Sequence, residues 1–191
     1  ARERASDFGS YIRENADDFY VNPNQIILCG FSAGGHLAAS YAVFWNQDFI
    51  LEKSGADNND ILRPNALILG YPVIKSGEFA HHDSFKNLLG GEYESKKSAV
   101  SLEHFVGQQV PKCFIWHTYE DQPVPVQNSM LFVSELIKNK IPVEFHLFEK
   151  GGHGLALANR LTVSPYGSAI EPAAAQWIKL VHMWIENFIN E

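Results

Sequence analysis

Four short apolar runs, each followed by a stretch with helical or irregular character, constrain this chain more than any other feature. They occupy residues 25–30, 66–70, 112–117 and 143–148. Runs of this length suit buried strands; a helix needs a longer pattern. Between them the period changes. Residues 33–47 read as a helix packed on most sides. Val126, Met130, Val133 and Ile137 share one helical face. A last helix is expected from Pro172, a favoured first helical position. Its Trp177, Leu180, Val181, Trp184, Ile185 and Phe188 recur at helical spacing. Strands alternating with helices predict an α/β fold, a mostly parallel sheet with helices on both faces. The run 143–148 alternates as a partly exposed edge strand would. Residues 54–60 read as a polar loop, and 72–110 as a long irregular stretch with helical pieces at 85–89 and 102–105.

In such sheets the ligand site lies beyond the carboxyl ends of the strands. The first of these ends reads Cys29-Gly30-Phe31-Ser32-Ala33-Gly34-Gly35-His36. Gly-x-Ser-x-Gly between a strand and a helix is the nucleophile-elbow pattern. Its turn is tight enough to strain the serine backbone, and side chains two residues away on either side are expected to collide. The strain lifts the Ser32 hydroxyl clear of the sheet. The helix N-terminus behind it favours developing negative charge.

A serine needs a base to become a useful nucleophile. After the run 112–117 comes Thr118-Tyr119-Glu120-Asp121; after 143–148 comes Glu149-Lys150-Gly151-Gly152-His153-Gly154. The chain order Ser32, Asp121, His153 suits an elbow serine. His153 would take the serine proton and return it to the leaving group, and Asp121 would fix the imidazole tautomer. Glu120 is the rival for that last role. Among the eight histidines, His36 lies on the helix that the elbow points away from, and His117 sits in or just after a strand. Both are weaker bases on position. His146 and His182 read as structural. His81-His82-Asp83-Ser84 matches no metal-ligand spacing and suits a cap loop. No metal or cofactor is expected.

Bulk properties narrow the partners. Fifteen basic and 22 acidic residues leave a net charge of −7, and no basic cluster offsets it. That argues against nucleic acid. No apolar run approaches membrane-spanning length. The 46% hydrophobic content of 191 residues suits one globular domain over 1–191. Cys29 and Cys113 both fall in apolar runs and read as buried free thiols, compatible with a reducing cytoplasm. Ala5, Phe8, Tyr11, Ile12 and Ala16 already recur at helical spacing, giving a helix over 3–18. The chain thus starts inside a helix, and its true start is expected upstream, which leaves targeting unread.

Taken in order, Gly30-Phe31-Ser32-Ala33-Gly34-Gly35-His36-Leu37-Ala38, Gly70-Tyr71-Pro72-Val73-Ile74, Trp116-His117-Thr118-x-x-Asp121-x-x-Val124-Pro125 and Gly151-Gly152-His153-Gly154-Leu155 resemble the α/β-hydrolase superfamily of esterases and lipases. Within it the chain is most similar to a bacterial group related to acetyl xylan esterases. The resemblance implies a three-layer sandwich of which only the C-terminal strands are present. It also implies a cap-like insertion over 73–108, and an acyl-enzyme mechanism on a small ester or acetylated sugar. Phe31, Tyr71 and Phe79 would line the acyl site; Trp116 suits the core. Family members carry a His-Gly-Gly oxyanion motif upstream of the serine, and this chain has none; the resemblance leaves the Ala33 amide, next after the nucleophile, as the oxyanion donor. Complete domains run to about 250 residues or more. A lost oxyanion donor costs about 10²–10³ in rate, so the chain alone is expected to be weakly active. The run 25–30 is expected to pair with a missing N-terminal segment or with a second copy of the chain. A prolyl-oligopeptidase-type peptidase and a non-catalytic hydrolase-like fragment remain the alternatives.

Overall fold

Two central strands explain the unbroken apolar runs. The computed structural model describes residues 9–56, 58–164 and 169–190. In it β1 (Ile27–Phe31), β2 (Ala66–Gly70), β3 (Lys112–Thr118) and β4 (Val143–Phe148) form one parallel sheet in the order β1-β2-β3-β4. β2 is buried along its whole length and β3 at all but its first residue. Strands covered on both faces have no position left for polar alternation. The outer strands β1 and β4 are mostly half-buried, and β4 is the edge that its sequence predicts.

Alternate residues of the central strands feed two cores. Leu67, Leu69, Cys113 and Ile115 pack under α1 (Ala33–Phe44) and α4 (Gln127–Lys138). Ile68, Phe114 and Trp116 pack with Trp177 and Val181 of α5 (Trp177–Ile189) on the other face. The three-layer architecture follows. Ala38, Ala39 and Ala42 bring α1 close to the sheet.

Element boundaries differ from the sequence reading in instructive ways. The helix expected over 33–47 ends at Phe44, where the Gln47 N–H turns back to the Phe44 carbonyl (3.0 Å). A separate helix, α2 (Asp48–Ser54), follows. The Trp45 indole N–H donates to the Gln109 carbonyl (2.8 Å), a long-range anchor at the break. The last helix opens with a turn at 172–173 and a 3-10 segment, Ala174–Gln176, before α5. The helix expected over 3–18 lies partly outside the described residues; within them, 9–14 are helical. Arg13 ties this helix to the starts of β1 and β2, donating to the Pro23, Ile61 and Arg63 carbonyls and to Asn65 Oδ1. Cys113 is buried as expected, but Cys29 is exposed. Among the described residues β1 pairs only with β2, so its outer margin lacks the cover a central strand would have.

Between β2 and β3 the chain forms α3 (His82–Leu89) and several short helical turns. Val73, Phe85, Val100 and Val124 cluster there, and Asn128 Oδ1 accepts from the Ile74 and Lys75 N–H groups (2.9 Å each). This connection is thereby fixed to the loop after β3 and the start of α4.

Candidate active site

Ser32 stands between β1 and α1 with φ 54° and ψ −123°, a left-handed backbone that a side chain rarely adopts. Hydrogen bonds hold it there. Its N–H donates to the Gly70 carbonyl (3.0 Å), and its carbonyl accepts from His36 and Val73 (3.1 Å each). The crowding expected on both sides is found on one. A Cβ at Gly30 would lie 2.4 Å from the Gly34 carbonyl oxygen, whereas a Cβ at Gly34 meets nothing within 4 Å. The close approach after the serine falls one residue later: a Cβ at Gly35 would come within 2.8 Å of Pro72. The reason is that α1 has already begun at Ala33, and the face turned to the chain after β2 carries Gly35, not Gly34.

Three strand ends converge at this turn. Ser32 Oγ lies 2.7 Å from His153 Nε2, and His153 Nδ1 lies 2.7 Å from Asp121 Oδ2. The carboxylate can only accept, so Nδ1 carries the proton and Nε2 accepts from the serine hydroxyl. Asp121 is buried. Burial alone would raise its pKa, but contacts from His117 and His153 and the Val124 N–H (2.9 Å) hold it below the ordinary aspartate value. An imidazole set between a hydroxyl and an ionised carboxylate can withdraw the hydroxyl proton as the oxygen attacks.

His117 lies in β3, where the sequence reading puts it, but its contact with the acid was not read. It is fully buried. Its Nε2 faces two acceptors, the Val124 carbonyl (2.9 Å) and Asp121 Oδ2 (3.3 Å), and therefore carries the proton; Nδ1 accepts from the Ser129 hydroxyl (2.7 Å). It is not near the serine but behind the carboxylate. The i, i+4 spacing of His117 and Asp121 was the available signal. Glu120 takes no contact with His153. It accepts from Lys150 Nζ (2.9 Å) and from the Gly151 N–H (3.1 Å), pinning the loop that carries the imidazole.

Other named residues are placed as follows. Tyr71 is buried, meets the His153 ring edge-on at 5.1 Å, and accepts from the Ala156 N–H (3.0 Å). Phe31 packs its ring against Tyr71 (5.8 Å) and Trp177 (5.7 Å), on the core side. Phe79 has a left-handed backbone, φ 66°, and its carbonyl accepts from Asn128 Nδ2 (2.8 Å). Trp116 is fully buried and stacks on Trp177. His36 donates through Nδ1 to the Val73 carbonyl (3.1 Å) and meets Phe85 edge-on. His146 pairs with Glu144 inside β4, and His182 is exposed on α5. His81, placed by sequence on the insertion, stacks near-parallel to the His153 ring, with centroids 6.3 Å apart. A cleft of about 550 Å³ opens beside Ala33 between α1, α2 and α3, lined by Leu37, Phe49, Val73, Phe85 and Leu88. It shares Ala33 with the elbow, but no side chain of Ser32, Asp121 or His153 lines it. Among the described residues no three His, Cys, Asp or Glu side chains gather as they would around a metal ion.

A parallel sheet with a strained serine after β1, an acid after β3 and a histidine after β4 has the order and layers of the α/β-hydrolase fold. The chain belongs to the BD-FAE family, whose profile matches residues 8–136. It is 40% identical over 151 residues to endo-1,4-beta-xylanase B of Butyrivibrio fibrisolvens, covering 78% of this chain and 23% of that protein. It is 28% identical over 177 residues to an acetylxylan esterase of Xylanibacter ruminicola, covering 89% of this chain and 33% of that one. Among solved structures, the acetyl ester-xyloside bifunctional hydrolase from Caldicellulosiruptor lactoaceticus superimposes with a TM-score of 0.78 at 35% identity, over 96% of this chain and 64% of that chain. The chain thus spans a third or less of these curated relatives and just under two thirds of this solved one.

Proposed function

We propose that this chain carries the nucleophile, base and acid of a serine carboxylic-ester hydrolase, and that its substrates are acetyl esters of a carbohydrate or small alcohol. The observation that carries the reading is the relay of two 2.7 Å contacts from Ser32 through His153 to Asp121. Ser32 Oγ attacks the ester carbonyl carbon as its proton passes to His153 Nε2. The C–O π pair moves to the carbonyl oxygen, and the oxyanion lies against the Ala33 N–H at the head of α1. Collapse breaks the bond to the alcohol, which leaves with the proton from Nε2. Water then repeats the sequence on the acyl-serine, releasing the acid and restoring the hydroxyl. The imidazolium formed on the way is stabilised by Asp121, whose charge is in turn held by His117 and Val124. Relatives named for acetyl ester and acetylxylan hydrolysis support an acetylated sugar over a peptide.

The test uses the full-length polypeptide that contains this chain. It should hydrolyse p-nitrophenyl acetate and an acetylated xylo-oligosaccharide but leave a prolyl peptide anilide intact. Ser32→Ala and His153→Ala should each lower kcat about 10³-fold or more. Undiminished turnover by Ser32→Ala would assign the nucleophile elsewhere, and cleavage of the anilide alone would make the protein a peptidase.

A further inference from the structure

We propose that His81 is a substrate-contacting residue on the alcohol side of the ester, donating from Nε2 to a hydroxyl adjacent to the scissile bond. The site would thereby favour monoacetylated sugars and polyols over acetates of simple alcohols. The proposal rests on the ester-hydrolase reading above.

The Ser84 N–H points at His81 Nδ1 from 3.3 Å, and a backbone N–H can only donate. Nδ1 is therefore an acceptor, and it also lies 2.8 Å from the Ser84 hydroxyl, which donates to it. A neutral ring with Nδ1 occupied in this way carries its hydrogen on Nε2. The two nitrogens lie on different sides of the ring, so Nε2–H points away from Ser84. Among the described residues it has no protein partner, and the residue is only partly buried.

Position supplies the rest. The His81 and His153 rings are near-parallel, 16° apart in plane, with centroids at 6.3 Å, an offset stack. The chemistry orients the substrate relative to them. The oxyanion must face the Ala33 N–H, and the leaving oxygen must face His153 Nε2 to receive its proton. The alcohol therefore departs past the Nε2 edge of the His153 ring, and His81 lies over one face of that same ring. A donor there meets whatever hydroxyl neighbours the ester oxygen. In an acetylated sugar that hydroxyl is on the next ring carbon; a simple alkyl acetate has none. Serving as the N-cap of α3 fixes the ring by its other nitrogen, so the donor is held ready before substrate arrives.

Because His81 caps α3, truncation would confound contact with structure. Asn is a favoured N-cap and its Oδ1 can take the Ser84 N–H, but its short amide does not reproduce the reach of Nε2. In the full-length polypeptide, His81→Asn should lower kcat/KM for a monoacetylated methyl xyloside about tenfold. On p-nitrophenyl acetate, which offers no such hydroxyl, the loss should be clearly smaller, about threefold at most, and the unfolding midpoint should stay unchanged. With the unaltered protein, the xyloside analogue lacking the adjacent hydroxyl should show the same tenfold loss, an arm that does not depend on the variant folding. Equal loss on both substrates, or no loss on the xyloside or its deoxy analogue, would reduce His81 to a helix cap and overturn the proposal while leaving the hydrolase reading intact. Failure of the unaltered protein to turn over any ester would overturn both.

Discussion

At the scale of single residues, one carboxylate gathers most of the site's electrostatics. Asp121 is buried yet held charged by the His117 and His153 rings and the Val124 N–H. A depressed folded pKa stabilises the native state at pH values above the unfolded pKa, and that contribution is lost as pH falls through the folded value. Urea unfolding should therefore show the Asp121 contribution intact above about pH 5 and declining below 3.8, the ordinary aspartate value. Asp121→Asn should flatten that part of the pH curve; an unchanged acid limb in the variant would mean that the carboxylate is not held low. Ser32, Asp121 and His153 were legible because each follows an apolar run at its carboxyl end. The supporting residues were not. His117 reads as an ordinary strand residue until Val124 and Ser129 fold back on it, and His81 meets His153 only across about seventy residues of intervening chain.

At the scale of elements, the strand–helix joint sets the geometry that the reaction needs. β1 delivers Ser32, and α1 leaves at once with its N-terminus behind the hydroxyl. The local pattern announced this joint and the crowding at Gly30, but after the serine it assigned the crowding to the wrong glycine. Gly35, not Gly34, faces Pro72. Gly35→Ala forces a Cβ within 2.8 Å of Pro72, an overpacking expected to cost about 1–3 kcal/mol. Gly34→Ala should be neutral or stabilising by up to about 1 kcal/mol, since its Cβ meets nothing within 4 Å and Ala has less backbone freedom to lose than Gly. Equilibrium unfolding of the two variants decides the matter, and equal destabilisation would place both positions in close contact. Helix ends were the least legible feature. The stop at Phe44 coincides with Trp45 reaching the Gln109 carbonyl, a partner that no local periodicity can reveal.

At the scale of the molecule, four parallel strands bring residues from three connections to one end of one sheet. The alternation of apolar runs and helical periods made that sheet legible, down to the bounds of β2 and β4, because burial on both faces leaves a strong signal. Pairing beyond β1 is not encoded in the same way. Among the described residues β1 pairs only with β2, beside the half-buried Ile27 and Leu28, and an uncovered strand edge recruits another strand. Expressed by itself, the 191-residue polypeptide should self-associate in light scattering; a 21.4 kDa monomer that unfolds cooperatively would show β1 to be protected. The central claim is that the three strand ends act as one reactive unit, and peptide mapping after reaction with a fluorophosphonate tests it most directly. A single adduct is expected on Ser32, absent from Ser32→Ala and formed about 10³-fold or more slowly in His153→Ala. An adduct on any other residue, or labelling of Ser32 at an unchanged rate without His153, would contradict it.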